Sequence, residues 1–173
     1  MATPIARFGL RIDPPEGWQV AVTRRAAEPG EVTHPVLHAC TRPMPKDRGD
    51  FGTGVVDVLG PEDVFVSLLE YGTDVADRGL FEKQGMPALA PSQFSPDRLQ
   101  RHMPGLSASQ HFFSAGGRAF CLFTVLGSHA RRMATVPKAV GLVRNLRILD
   151  VATVRRQAQQ QGRQALQQQG GTP

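Results

Sequence analysis

Few side chains in this chain have the types and spacing that acid–base, metal or nucleophilic chemistry requires. His34 and His38 stand four residues apart, the separation at which a helix presents a metal pair. Pro35 follows His34, however, and the run to Cys40 reads as a strand, where residues four apart share a face at about 13 Å. His38 and Cys40 lie about 6.6 Å apart on one strand face, and a metal there would need ligands from elsewhere. A nucleophile needs a basic partner and an orienting group. Cys40, Cys121, His102, His111 and His129 are present, but no Gly-x-Ser-x-Gly elbow accompanies them. Gly52-Thr53-Gly54 begins like a phosphate loop and lacks the Gly-Lys-Ser/Thr that completes one, as well as the third glycine of a dinucleotide fingerprint. Glu62, Asp63 and Glu70 read as surface acids bounding a strand. The sequence therefore leads us to expect no catalytic residue, no metal and no cofactor. Cys40 and Cys121 sit in apolar runs and read as buried thiols, with a bridge between neighbouring strands as the alternative.

Binding is better represented. Arg131, Arg132, Lys138, Arg144 and Arg147 lie on or near a late helical stretch, and Arg155, Arg156 and Arg163 follow. Residues 1–97 carry 9 Lys/Arg against 14 Asp/Glu, a net −5, while residues 98–173 carry 11 against 1, a net +10. Such asymmetry suits an acidic partner or an anionic polymer. A fold that mixes the two halves in space would cancel it. On a helix, Arg144 and Arg147 would face the same way. Sequence-specific reading of nucleic acid would need a recognised module or stacking aromatics beside these residues, and neither is there. Trp18, Tyr71, Phe112 and Phe113 are candidate anchors for a protein partner where they are exposed.

The elements that must carry these residues follow from periodicity. Phe8, Leu10 and Ile12 alternate with polar neighbours, and Trp18, Val20 and Val22 repeat the pattern after Pro14-Pro15-Glu16-Gly17, so the two runs read as a hairpin founding a sheet. Residues 35–41 read as a third strand. The β-branched run Val64–Tyr71 favours a strand, with a helix starting at Pro61 as competitor. Residues 72–109, punctuated by Pro87, Pro91, Pro96 and Pro104, read as a long segment wrapped on the core. Gln110–Ser114 and Arg118–Leu126 flank Ala115-Gly116-Gly117 and form the clearest hairpin. Met133, Val136, Val140, Val143 and Leu146 then recur at helical spacing. Pro137 is either a first-turn proline, with Thr135 as N-cap, or a kink in a longer helix. Arg147-Ile148-Leu149 reads as a last short strand. Residues 157–169 hold eight Gln and no acid, and predict frayed helix or disorder. The expected architecture is one α+β domain over 5–149, an antiparallel sheet packed against the late amphipathic helix, with a tail over 150–173.

Phe8-Gly9-Leu10 leading into Pro15-Glu16-Gly17-Trp18, together with the strand Arg118–Leu126, a helix and Leu146-Arg147-Ile148, resembles the PsbP-like α/β/α sandwich superfamily. The resemblance covers the two ends of the domain. It implies a non-enzymatic binding or assembly factor and supplies no catalytic residues. The expected function is accordingly an interaction or assembly module that binds a protein partner or its own copy through an exposed sheet face, with the tail as a second contact. One alternative is a small-molecule pocket or enzyme site between the sheet and residues 72–109, with His111 or His102 at its mouth. The other is an anionic-polymer binder using the basic C-terminal half. No run of about 18 apolar residues and no secretory leader is read, so the expectation is a soluble, cytoplasmic protein.

Overall fold

Phe8 and Gly9 both take positive φ, 52° and 72°, the geometry of a two-residue hairpin turn that glycine tolerates without strain. In the computed structural model, which describes residues 3–170, this turn joins β1 (Ile5–Arg7) to β2 (Leu10–Ile12). The chain then enters a second sheet with β3 (Gln19–Thr23), β4 (Val36–Cys40) and β5 (Val64–Gly72). β6 (Ser107–Ala115) and β7 (Arg118–Leu126) complete that sheet in the order β3-β4-β5-β7-β6, antiparallel throughout. α1 (Arg132–Arg144) follows, and β8 (Leu146–Ile148) returns to pair with β2. α2 (Val151–Gln169) is the last element.

The α+β class, the strand at Val64–Tyr71 and the Gly-Gly hairpin agree with the sequence. The expected founding hairpin does not, because the runs at Phe8–Ile12 and Trp18–Val22 belong to different sheets. Both edges of β2 are occupied, by β1 and by β8, and two prolines without N–H groups carry the chain away from it. There are thus two antiparallel sheets, of three and five strands, in place of one.

Both faces of the larger sheet are covered. On one face Val64, Val66 and Leu68 of β5 and Phe120, Leu122 and Leu126 of β7 pack under α1 and against Leu10 and Ile12 of the small sheet. On the other, Phe65, Leu69, Cys121, Phe123 and Val125 lie beneath Val55, Val56, Phe51 and Leu99. Every residue of β7 is therefore buried, which is why that strand reads as a nearly continuous apolar run. Burial of each large side chain there contributes about 1.5–3 kcal/mol. The small sheet is covered on one face only: Leu10, Ile12 and Leu146 point into the core, while Arg11 and Arg147 are exposed on the other side.

α1 starts at Arg132, so Pro137 lies inside the helix rather than in its first turn. Met133, whose carbonyl loses its donor to the proline, is 71% exposed, and that carbonyl is left to water at little cost. Thr135, Val136, Ala139, Leu142 and Val143 form the buried stripe. Met133 drops out of the expected one, and Leu146 moves to β8. α2 runs unbroken through Gly162, where frayed helix or disorder was expected. Asp150 caps it by accepting from the Thr153 N–H at 2.9 Å and the Thr153 hydroxyl at 2.8 Å, and Gln, Ala and Arg propagate it well. No α2 residue is fully buried. Cys40 and Cys121 are free thiols on β4 and β7 with β5 between them, at least about 9.5 Å apart and out of bridging range. In each sheet the strands of the two halves lie side by side, β3-β4-β5 next to β7-β6 and β1-β2 next to β8, so the acidic and basic segments abut without interleaving. Among the described residues no helix is long and apolar enough to cross a membrane.

Candidate functional site

The four candidate anchors separate. Phe113 is buried and stacks on Phe120 at 5.7 Å, and Trp18 is half-buried against the α1-side core. Tyr71, 39% exposed, and Phe112 come together with Phe81, at ring separations of 5.3, 5.6 and 6.5 Å. The basic residues disperse as well. Arg131 pairs with Glu62, and Lys138 lies 3.7 Å from the same carboxylate. Arg132 donates to the His129 carbonyl at 3.0 Å. Arg147 is on β8, not on the helix, and donates to the Arg144 carbonyl at 2.6 Å. The expected shared helical face of Arg144 and Arg147 is therefore not formed. Arg156 donates to the Thr153 hydroxyl at 3.0 Å. Arg155 lines a concave surface.

That surface is a groove of about 1030 Å³ between α2 and the β1–β2 hairpin. At its root Arg118, 5% exposed, forms a bidentate pair with Glu70, Nε to Oε1 at 3.0 Å and Nη2 to Oε2 at 2.7 Å. Its remaining N–H groups donate to the carbonyls of Phe8, Gly9 and Leu149 at 2.9, 3.1 and 3.2 Å. Arg118 thus ties the large sheet to the small one and to the residues just before α2. Among the described residues the lone acid of the groove, Glu70, is spent on this pair. Arg7, Arg11, Arg24 and Arg155 line the remainder beneath the amides of Gln157, Gln160, Gln161 and Gln164. Arg7 and Arg24 both stack on the Phe8 ring, 4.9 and 5.3 Å from its centroid, an arrangement that holds two like charges side by side. Among the described residues Arg11, Arg24 and Arg155 have no carboxylate partner. Arg7, Arg11 and Arg24 escaped the sequence reading because they are scattered through short N-terminal strands, and only the return of β8 beside β2 places α2 over them.

A second concavity, about 640 Å³, lies between β6 and the segment 79–93, in the place expected for a small-molecule pocket. His111 lines it and His102 does not. Burial, with Lys83 and Arg98 nearby, holds the His111 imidazole below its ordinary pKa, and its Nε2 has no hydrogen-bond partner.

His38 is structural. Its Nδ1 accepts from Arg48 Nε at 2.9 Å and its Nε2 donates to the Asp50 carbonyl at 3.0 Å, which also accepts from the Ser67 hydroxyl at 2.6 Å. This network fastens the 44–55 loop onto β4 and β5. Burial lowers the His38 pKa, in keeping with the neutral tautomer those bonds require. Burial also raises both thiols, Cys121 to about 11, so neither is a ready thiolate at neutral pH. Among the described residues no three His, Cys, Asp or Glu side chains cluster as metal ligands.

No family model, curated protein or solved structure matches the chain.

Proposed function

We propose that this protein is a non-catalytic interaction module that captures an acidic segment of a partner protein in the groove beneath α2. The observation carrying this reading is the cluster of Arg7, Arg11, Arg24 and Arg155 around one concave surface whose only carboxylate is already paired. Groove walls with one sign of charge concentrate anions and raise their encounter rate. The apolar side chains of Leu149, Val151 and Val154 at the base of α2 favour a peptide over a nucleic acid, since they offer side-chain contact but no flat surface on which bases stack.

The test is a fluorescence-anisotropy titration of the full chain with a labelled deca-glutamate peptide, repeated with a labelled ten-nucleotide oligo-dT. The peptide binds, and its affinity falls as NaCl rises through the range where the screening length drops below about 10 Å. Replacing Arg7, Arg24 and Arg155 together by Ser lowers affinity about tenfold or more, at roughly 0.5–1 kcal/mol for each exposed contact. Replacing Arg131 and Arg144, outside the groove, leaves it unchanged. Absence of binding, equal loss in both sets of variants, or tighter binding of the oligonucleotide each overturns the reading.

A further inference from the structure

β6 is an edge strand of the five-stranded sheet, and its outer side is closed at two points only. Ala108 exchanges hydrogen bonds with Ser95, at 2.9 and 3.0 Å. The Ser114 N–H donates to the Lys83 carbonyl at 2.8 Å, and the Ser114 carbonyl accepts from Gly85 N–H at 2.8 Å. Backbone groups on a strand alternate in direction, so the outward set at 108 and 114 makes those of Gln110 and Phe112 outward too, while 109, 111 and 113 pair with β7. Between the two attachments residues 86–94 bow away from the edge, and the 640 Å³ concavity occupies the gap. Two N–H donors and two C=O acceptors thus face an open space in the spacing of a β-ladder, with no protein partner outside the sheet among the described residues. A free strand edge bounded at both ends invites a short guest strand.

The charges around the gap choose the guest. Lys83 lines it, and Lys83 and Arg98 both bear on the His111 imidazole. Neither cation has an ion-pair partner among the described residues. Glu82, also on the rim, offsets one of the two. We propose that this gap receives the last residues of an extended peptide, which pair with Gln110 and Phe112 as a sixth strand and set their terminal carboxylate against Lys83. The mode is strand addition, in which main-chain bonds supply affinity and the charged end supplies specificity. This site is separate from the groove beneath α2 and stands or falls independently of it.

The experiment uses the ¹⁵N-labelled full chain and two probes, N-acetyl-Ala-Val-Leu as the free acid and as its C-terminal amide. In the free protein the Gln110 and Phe112 amides exchange with solvent much faster than those of Ser109, His111 and Phe113. On saturation with the acid, their resonances shift and their exchange slows at least about tenfold, matching formation of new ladder bonds. The amide binds at least tenfold more weakly. Lys83→Gln removes that preference without changing the melting temperature, because only the Lys83 main chain is used by the fold. The proposal is overturned if the acid does not bind up to about 5 mM, if acid and amide bind equally, if free acetate displaces the acid at equal concentration, or if the shifts fall elsewhere in the chain.

Discussion

Removing Glu70 tests the joint on which both sheets and α2 depend. Glu70→Ala deletes the only carboxylate facing Arg118, whose side chain is 5% exposed, and Glu70 itself is 8% exposed. Three carbonyls remain as acceptors, but neutral dipoles do not balance a buried guanidinium. Breaking a buried pair on one side costs about 3–5 kcal/mol. At roughly 2–4 °C per kcal/mol for a domain of this size, the melting temperature should fall by about 6–20 °C. Arg118→Met alone should cost a comparable amount, since Glu70 is then buried without a cation. The double variant Glu70→Ala with Arg118→Met should cost less than the sum of the two singles by about 1–3 kcal/mol, the coupling expected of directly bonded residues. Differential scanning calorimetry and guanidinium titrations on the four proteins measure the cycle. A drop below about 3 °C for Glu70→Ala, or additive single effects, would refute the argument that this pair carries charge out of water at the junction.

Other consequences follow from single sites. His38 and His111 have pKa values lowered in the fold from the ordinary 6.5; their contribution is fully present above about 6.5 and lost as pH falls from there toward the lowered native values. Guanidinium midpoints between pH 7.5 and 5.5 should show this, and His38→Gln should flatten the slope; an unchanged slope contradicts the assignment of His38 as a neutral buried partner. A Cβ at Gly127 would stand 1.8 Å from the Gly60 carbonyl oxygen, so Gly127→Ala should lower stability by about 1–3 kcal/mol or more. Gly162, with nothing within 4 Å, lies inside exposed α2, and Gly162→Ala should stabilise that helix by about 0.8–1 kcal/mol, seen as increased circular-dichroism helicity on heating. Both thiols should react with a disulfide reagent only at the rate of unfolding, since burial raises Cys40 and brings Cys121 to about 11; rapid labelling under native conditions would contradict that burial.

Local pattern determined much of the secondary structure, because the pattern and its cause lie within a few residues. Short apolar, β-branched runs marked β4 and β5, Gly116-Gly117 between two apolar runs marked the β6–β7 hairpin, and the three-and-four spacing after Gly127 marked α1. The same local view placed Phe8–Ile12 and Trp18–Val22 in one hairpin, since nothing nearby shows that β8, more than 130 residues along the chain, takes the free edge of β2. It marked clustered arginines for binding and passed over Arg7, Arg11 and Arg24, which meet Arg155 only after that long-range pairing sets α2 above the first hairpin. Composition described the tail as good helix former with a thin apolar stripe; the seat that starts the helix, Asp150 as cap and Arg118 holding Leu149, comes from a strand 31 residues earlier. Strand and helix type are matters of neighbouring side chains and backbone preference. Which edges pair, and which charges share a groove, is settled by closing long loops around one core, where burial rather than sequence proximity supplies the free energy.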